Sequence, residues 1–377
     1  MLRNDSLFFA GFIPYLTHEV WRTTMFGRYI RGTQEALFLF LCLGMMFLKV
    51  MLYDHFTARQ LLLSALLLVV GSLTYLGTDS IVYFSIMIMV IAAKDVDFDK
   101  ILGVWLVVVI TIMLLAFVAS QLNIISNLRY VSVDFFTGKK TIRNSFGIIY
   151  PTDCAAHFFF CVLSLFYLRR NMLKWFDFIL GIVIGLLVYY YCRARLDSLS
   201  ILLTVILFLV AFVFKKNEKW KKLWIILGSW ITPLACFVMI FLTYAYKQNG
   251  PLERLDTFIS RRLFLGKSGM EEYGITFWGQ KLKLIGNGGT TDGFHANYNF
   301  LDVSYINILI VGGVAFLLVF MFIYILIGYY HRKNTFLLCV LSMVAFNCAI
   351  AHHMTEIAYN IFTLTLFAEV TDKEYED

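Results

Sequence analysis

Charge is scarce in this chain. Asp, Glu, Lys and Arg make up 15% of the 377 residues, while 60% are hydrophobic. An ordinary soluble domain is about a quarter charged, so a soluble globular fold is excluded. Other absences narrow the reading further. No internal repeat, low-complexity tract or linker divides the sequence, and residues 1–377 read as a single integral membrane domain. The opening "MLRNDSLFFAGFIPYL" has no small-x-small cleavage pattern and reads as an uncleaved first span. All seven cysteines fall within or beside apolar runs, so neither disulfides nor a thiolate metal site is expected.

What is present is apolar. The mean hydropathy is +0.75, and at about 20 residues per span the chain is long enough for roughly a dozen crossings. Apolar runs lie near 7–22, 36–53, 61–77, 80–93, 101–121, 146–168, 175–192, 198–214, 223–245, 303–329, 335–352 and 356–370. The expected fold is an all-α polytopic membrane protein of about 12 transmembrane helices, with a range of 10–12 because the first, fourth and last runs are short enough for any of them to be re-entrant or tilted.

Basic loops orient these spans. "RRNMLK" (169–174), "KKNEKWKK" (215–222) and "HRKN" (331–334) are two spans apart and share one side, which the positive-inside rule makes cytoplasmic together with both termini. The other side receives 23–35, 122–145, 193–197 and the long loop 246–302, too long for a simple connection. Ten of the fifteen arginines fall on that outer side: Arg22, Arg28, Arg31, Arg129, Arg143, Arg193, Arg195, Arg254, Arg261 and Arg262. Topology needs only positive charge, which lysine supplies. Arginine adds a planar fork suited to phosphate oxygens, so this bias points to an anionic ligand, phosphate or pyrophosphate. Lipid headgroups would use the same chemistry.

Several stretches qualify as site material. In "YCRARLDSLS" (191–200), Arg193 and Arg195 stand at a nearly loopless junction between spans, where charge is costly and usually functional. Snorkelling, with Arg193 paired to Asp197, explains the same residues without a ligand. In "FGIIYPTDCAAHFFF" (146–160), Pro151 suits a first helical turn, and Asp153 and His157 share one helix face. A structural hydrogen bond to a neighbouring helix serves that pair equally well. "ERLDTFISRRLFLGKSGMEEYGITFWGQKL" (253–282) mixes Arg254, Arg261 and Arg262 with Phe and Trp, as an interfacial amphipathic helix would. The glycine-rich "IGNGGTTDGFHANYN" lacks the preceding strand of a phosphate-binding loop and reads as a lid.

That lid ends at His295, a general-base candidate at the polar mouth of the next span. "KDVDFDK" (94–100) contains an Asp-x-Asp pattern without the nucleotide-binding domain that would give it meaning, and is set aside. His352 and His353, near Glu356, lack zinc-like spacing and read as cavity-lining or interfacial residues.

Together these stretches carry a resemblance. "FHANYNFLDVSYINILIVGG" resembles the end of the large outer loop in the O-antigen polymerase and ligase superfamily, with His295, Asp302, Ser304, Tyr305 and Gly312 at the matching positions. "FISRRLFLGKSGMEEYGITFWGQKL" is similar to the Ser-Gly-Arg-Leu segment of repeat-unit polymerases. Arg262 stands at its arginine, and Arg261 where glycine is common. "FGIIYPTD" looks like the Phe-Gly…His-Pro-Asn segment with Tyr150 and Asp153 substituted. "CRARLDSL" resembles a Ser-Arg-Thr segment with Arg195 in register and Ala194 and Leu196 beside it. "IMVIAAKDVDFDKILGVWL" looks most like capsule and exopolysaccharide polymerases of streptococci and lactobacilli.

The resemblance implies a GT-C-like, metal-independent glycosyltransferase without a cofactor, in the bacterial cytoplasmic membrane. It would join undecaprenyl-pyrophosphate-linked oligosaccharides, donor and acceptor, outside the cell and release undecaprenyl pyrophosphate. His295, Arg195 and Arg262 are the implied catalytic residues. Asp153, Asp302 and Tyr305 are the matching substrate-binding positions, to which the reading of the residues themselves adds Arg193, Arg254 and Arg261 as helper cations and His157 on the face of Asp153. Membrane lipids, a flippase and a chain-length regulator are the implied partners, and nucleic acid is not. A ligase acting on another acceptor shares the pyrophosphate site. A flippase for the same lipid is the rival from another class, against which the missing internal repeat counts.

Overall fold

The computed structural model describes residues 4–29, 33–133, 138–214, 217–290 and 298–371. It is a helical, polytopic membrane protein with one small β-hairpin. The helices are α1 Asn4–Arg22, α2 Thr33–Tyr53, α3 Ala58–Thr78, α4 Ile81–Ala92, α5 Phe98–Gln121, α6 Pro151–Leu168, α7 Trp175–Cys192, α8 Arg195–Val213, α9 Glu218–Ala245, α10 Glu253–Phe258, α11 Arg262–Tyr273, α12 Ser304–Asn307, α13 Gly313–Tyr330 and α14 Thr335–Cys348. Among the described residues eight helical stretches are long and apolar enough to cross a membrane. They are α2, α3, α5, α6, α7, α8, the Gly228–Ala245 part of α9, and Ser304–Tyr330. The runs at 80–93 and 335–352 form the shorter apolar helices α4 and α14, of 12 and 14 residues.

Packing between helices relies on small residues, because lipid gives apolar side chains no reason to leave it for one another. A Cβ on Gly181 of α7 would come within 2.6 Å of Val205 on α8, and one on Gly185 within 3.1 Å of Leu202. This glycine pair, one turn apart, lets the two helices close. Gly328 on α13 sits against Ser229 of α9, whose hydroxyl donates to the Gly328 carbonyl at 2.9 Å.

The long helix beginning at Ser304 is interrupted by a π turn, Ile308–Gly312. An irregular segment from the long loop, residues 276–280, occupies the break. Gln280 N–H donates to Val311 O, Val314 N–H to Thr276 O and Ala315 N–H to Phe277 O, at 3.0–3.1 Å. Non-helical backbone at membrane depth survives where other protein groups satisfy it, and here residues 276–280 do so. Gly313 carries φ 86°, and an added Cβ would lie 2.3 Å from the Gly279 nitrogen.

Residues 356–370 form turns and a short 3₁₀ helix, Phe362–Leu366, rather than an apolar α-helix. This passage begins beside the site described below and ends where Glu369 pairs with Asp97 at the start of α5. It is almost wholly buried, and side chains of the surrounding helices serve its carbonyls. Trp105 Nε1 donates to Ile357 O at 2.8 Å, and His331 Nε2 lies 2.9 Å from Thr365 O. The Asp-x-Asp stretch at that far end is structural. Asp97 caps α5 through the Asp99 and Lys100 amides, Asp99 takes a two-pronged bond from Arg170 at 2.8 and 3.0 Å, and Asp95 pairs with Lys94.

Candidate functional site

At the end of the bundle opposite Asp97, a cavity of about 570 Å³ opens between the α7–α8 junction, the start of α6, the hairpin, the α10–α11 turn and the segments around Gly288, Asp302 and His352. Among its described lining residues every lysine-or-arginine cation is an arginine: Arg143, Arg193, Arg195 and Arg262. The carboxylates are Asp153, Asp197 and Asp302. Four permanent cations against three carboxylates leave the wall able to accept an anion. A second cavity of about 620 Å³ shares Ile149 and Gly288 as its wall and contains Arg22, Arg28 and Glu35. There Arg22 is paired with Glu19 and Glu35 at 3.5 and 3.7 Å.

Each arginine is aimed by local backbone. Arg193 ends α7 in the left-handed conformation (φ 49°), so the chain reverses within two residues and Arg195 opens α8. Arg195 donates through Nη2 to the Phe258 carbonyl and, at 3.3 Å, to Ser260 Oγ. Arg262 donates through Nη1 to Ser260 O and through Nε to Ile350 O, both at 3.1 Å, and Nη1 lies 3.4 Å from Asp302. Ser260 and Arg261 both have left-handed φ, 61° and 62°, and this pair separates α10 from α11. The buried Asp256 carboxylate accepts from the Leu263 and Phe264 amides at 2.7 and 3.2 Å and caps α11. The stretch 253–282 is therefore two short helices and an extended segment, not one interfacial helix. The break is what turns Arg262 into the cavity while Arg261 stays outside, 4.6 Å from the Phe264 ring.

The hairpin brings an arginine that no motif marked. Strands β1 Arg129–Val133 and β2 Lys140–Asn144 pair antiparallel, and alternation puts Ser132, Thr141 and Arg143 on the cavity side and Val131 and Ile142 on the exposed side. Arg143 Nε donates to Cys192 O at 3.1 Å, tying the hairpin to the end of α7. The period-two pattern of "RYVSV" and "KTIRN" is the signal from which this was readable. Tyr298 also lines the cavity, with its hydroxyl 3.4 Å from Asp302. Burial, then the Asp302 carboxylate, pushes this phenol up, and it stays a neutral donor.

Asp153, Asp302, Arg193, Arg195 and Arg262 thus come together as the motifs suggested. Other motif residues are placed elsewhere. His157 shares a helix face with Asp153 but lies one turn deeper, fully buried. Its Nε2 is 2.8 Å from Thr23 Oγ1 and its ring stacks on Tyr359 at 4.1 Å. Tyr305 is buried and donates to Ala345 O at 3.0 Å. Arg254 and Arg261 are exposed and do not line the cavity. His295 and the rest of 291–297 lie outside the described residues. His352 and His353 do line the cavity, and Glu356, outside that lining, pairs with them at 3.5 and 3.2 Å.

Compared with family models, curated proteins and solved structures, the chain has no match.

Proposed function

We propose that this protein is a polysaccharide polymerase that joins undecaprenyl-pyrophosphate-linked repeat units at the outer face of a bacterial cytoplasmic membrane. The observation that carries the reading is the arginine-lined cavity at one end of a membrane bundle, where a lipid-borne pyrophosphate has both its chain and its charge accommodated. Support also comes from the family resemblance of five stretches, four of which contribute residues to this cavity. In this reading the cavity end faces outward and both termini face the cytoplasm. The chain makes twelve passes of GT-C type: the eight long helices, α1, α4, α14 and the buried passage to Glu369.

The chemistry follows from the leaving group. An acceptor hydroxyl forms a bond to the donor's anomeric carbon as the carbon–oxygen bond to pyrophosphate breaks, and negative charge develops on the departing phosphate oxygens. Fixed guanidinium groups stabilise that charge without reorganising. Arg195 and Arg262 take this role, with Arg143 and Arg193 flanking. The hydroxyl proton passes to an imidazole, that of His295 or of His352, which Glu356 backs. Asp153 and Asp302 accept hydrogen bonds from sugar hydroxyls.

The test is purified protein with the lipid-linked repeat unit and EDTA, without nucleotide, read as a glycan ladder. A ladder that vanishes in Arg262→Ala supports the reading. Substrate binding with no ladder overturns it in favour of transfer to another acceptor, or of transport, and a liposome flipping assay separates those two.

A further inference from the structure

His352, His353 and Glu356 form a cluster that glycosyl transfer does not need in full. Their ligating atoms all lie within 4.8 Å of one another. Glu356 presents one oxygen to each ring, at 3.5 Å from His352 Nε2 and 3.2 Å from His353 Nδ1. Two bonds of about 2 Å at a tetrahedral angle place their ligand atoms about 3.3 Å apart, so both separations suit a shared ion. The ligating nitrogens of the two imidazoles are at most 4.8 Å apart.

The cluster is held ready from behind. Ser304 grips the backbone on both sides of the histidine pair. Its hydroxyl donates to Ala351 O at 2.6 Å and accepts from the Met354 amide at 3.2 Å. Asn360 fixes Met354 O at 2.8 Å. An aromatic ring backs each imidazole: Tyr359 stacks on His353 at 3.8 Å, and Phe300 meets His352 edge-on at 4.7 Å. The front is open, because both histidines line the cavity and the His352 side chain keeps 19% exposure. The spacing His-His-x-x-Glu looked wrong for a metal because no regular helix or strand aligns its members. The irregular turns after α14 do.

We infer that His352, His353 and Glu356 bind one divalent cation of the borderline class, Zn²⁺ or a close relative, on the cavity wall. Two imidazole nitrogens and one carboxylate suit such ions, whereas Mg²⁺ prefers a shell of oxygens. Three protein ligands leave a fourth position directed at the cavity. The ion takes the His352 lone pair, so a loaded site removes that imidazole as a proton acceptor and adds positive charge to the wall. It is a controlling site, not a source of catalysis, and its occupancy is measurable without any activity assay.

The experiment is calorimetric titration of Zn²⁺ into the detergent-purified full chain carrying no polyhistidine tag, repeated in excess Mg²⁺. One equivalent should bind and survive Mg²⁺. His352→Gln and Glu356→Gln, checked for a wild-type elution volume and helical circular dichroism, should each weaken binding by on the order of tenfold or more. Co²⁺ provides a second readout independent of variant folding, since in the wild-type chain it should give the visible absorption of a four-coordinate site. No saturable Zn²⁺ binding, displacement by Mg²⁺, or unchanged binding in both folded variants would overturn the assignment.

Discussion

Arg195 and Arg262 meet on a single serine. Arg195 donates to the Ser260 hydroxyl at 3.3 Å and Arg262 to the Ser260 carbonyl at 3.1 Å, so a turn of the long loop holds an arginine from a membrane helix beside its own. Both forks are spread by backbone and side-chain acceptors before any ligand arrives.

That arrangement depends on fork geometry as well as charge. Under the proposed function, Arg195→Lys and Arg262→Lys should each lower polymerisation on the order of 100-fold, with membrane levels unchanged, as losing one oriented donor to a developing anion does. Ladder formation at the wild-type rate in either lysine variant would count against phosphate recognition by these forks.

Asp256 contributes at one remove. Its carboxylate caps α11 and, through its carbonyl, accepts the Arg261 amide at 2.7 Å. Asp256→Ala should cost about 1–2 kcal/mol of local stability and reduce activity by loosening Arg262, while Asp256→Asn recovers most of both. Thermal shift and turnover measured on the same preparations check this.

His157 serves packing. With Nε2 against Thr23 and its ring on Tyr359, it lies outside the cavity lining. His157→Phe should lower the melting temperature, by the loss of one buried hydrogen bond of about 1 kcal/mol, and leave a residual activity close to wild type at low temperature. Complete inactivity in a folded His157→Phe protein would instead give that ring a part in the chemistry.

Gly313 is where two pieces of backbone touch. Both its left-handed φ and the 2.3 Å approach to Gly279 forbid a side chain. Gly313→Ala should destabilise by about 1–3 kcal/mol and release residues 276–280 to proteolysis, which limited digestion reads directly.

The sequence made some of this legible and hid the rest for physical reasons. Long apolar runs announced the eight spanning stretches because lipid selects on length and hydropathy alone. Arg193 and Arg195 were conspicuous because charge at a span junction needs a reason. Arg143 was not, because its hairpin is short and its direction depends on register with a partner strand. The break between α10 and α11 was invisible too. Neither Ser260 nor Arg261 favours a left-handed backbone, and the turn is held by the Asp256 cap together with the bonds from Arg195 and Arg262. His157 looked like a partner of Asp153 because helical spacing gives the face but not the depth.

The passage from Ile357 to Glu369 has a consequence for the cavity. A spanning helix satisfies its own carbonyls and can enter lipid alone, whereas this segment borrows donors from Trp105 on α5 and His331 beyond α13. Its carbonyls are satisfied only while those side chains stand where they do, so it is held as a keystone is held by its arch. With its first residues beside the histidine pair, the cavity wall there depends on packing at the far side of the bundle as well as on its own lining.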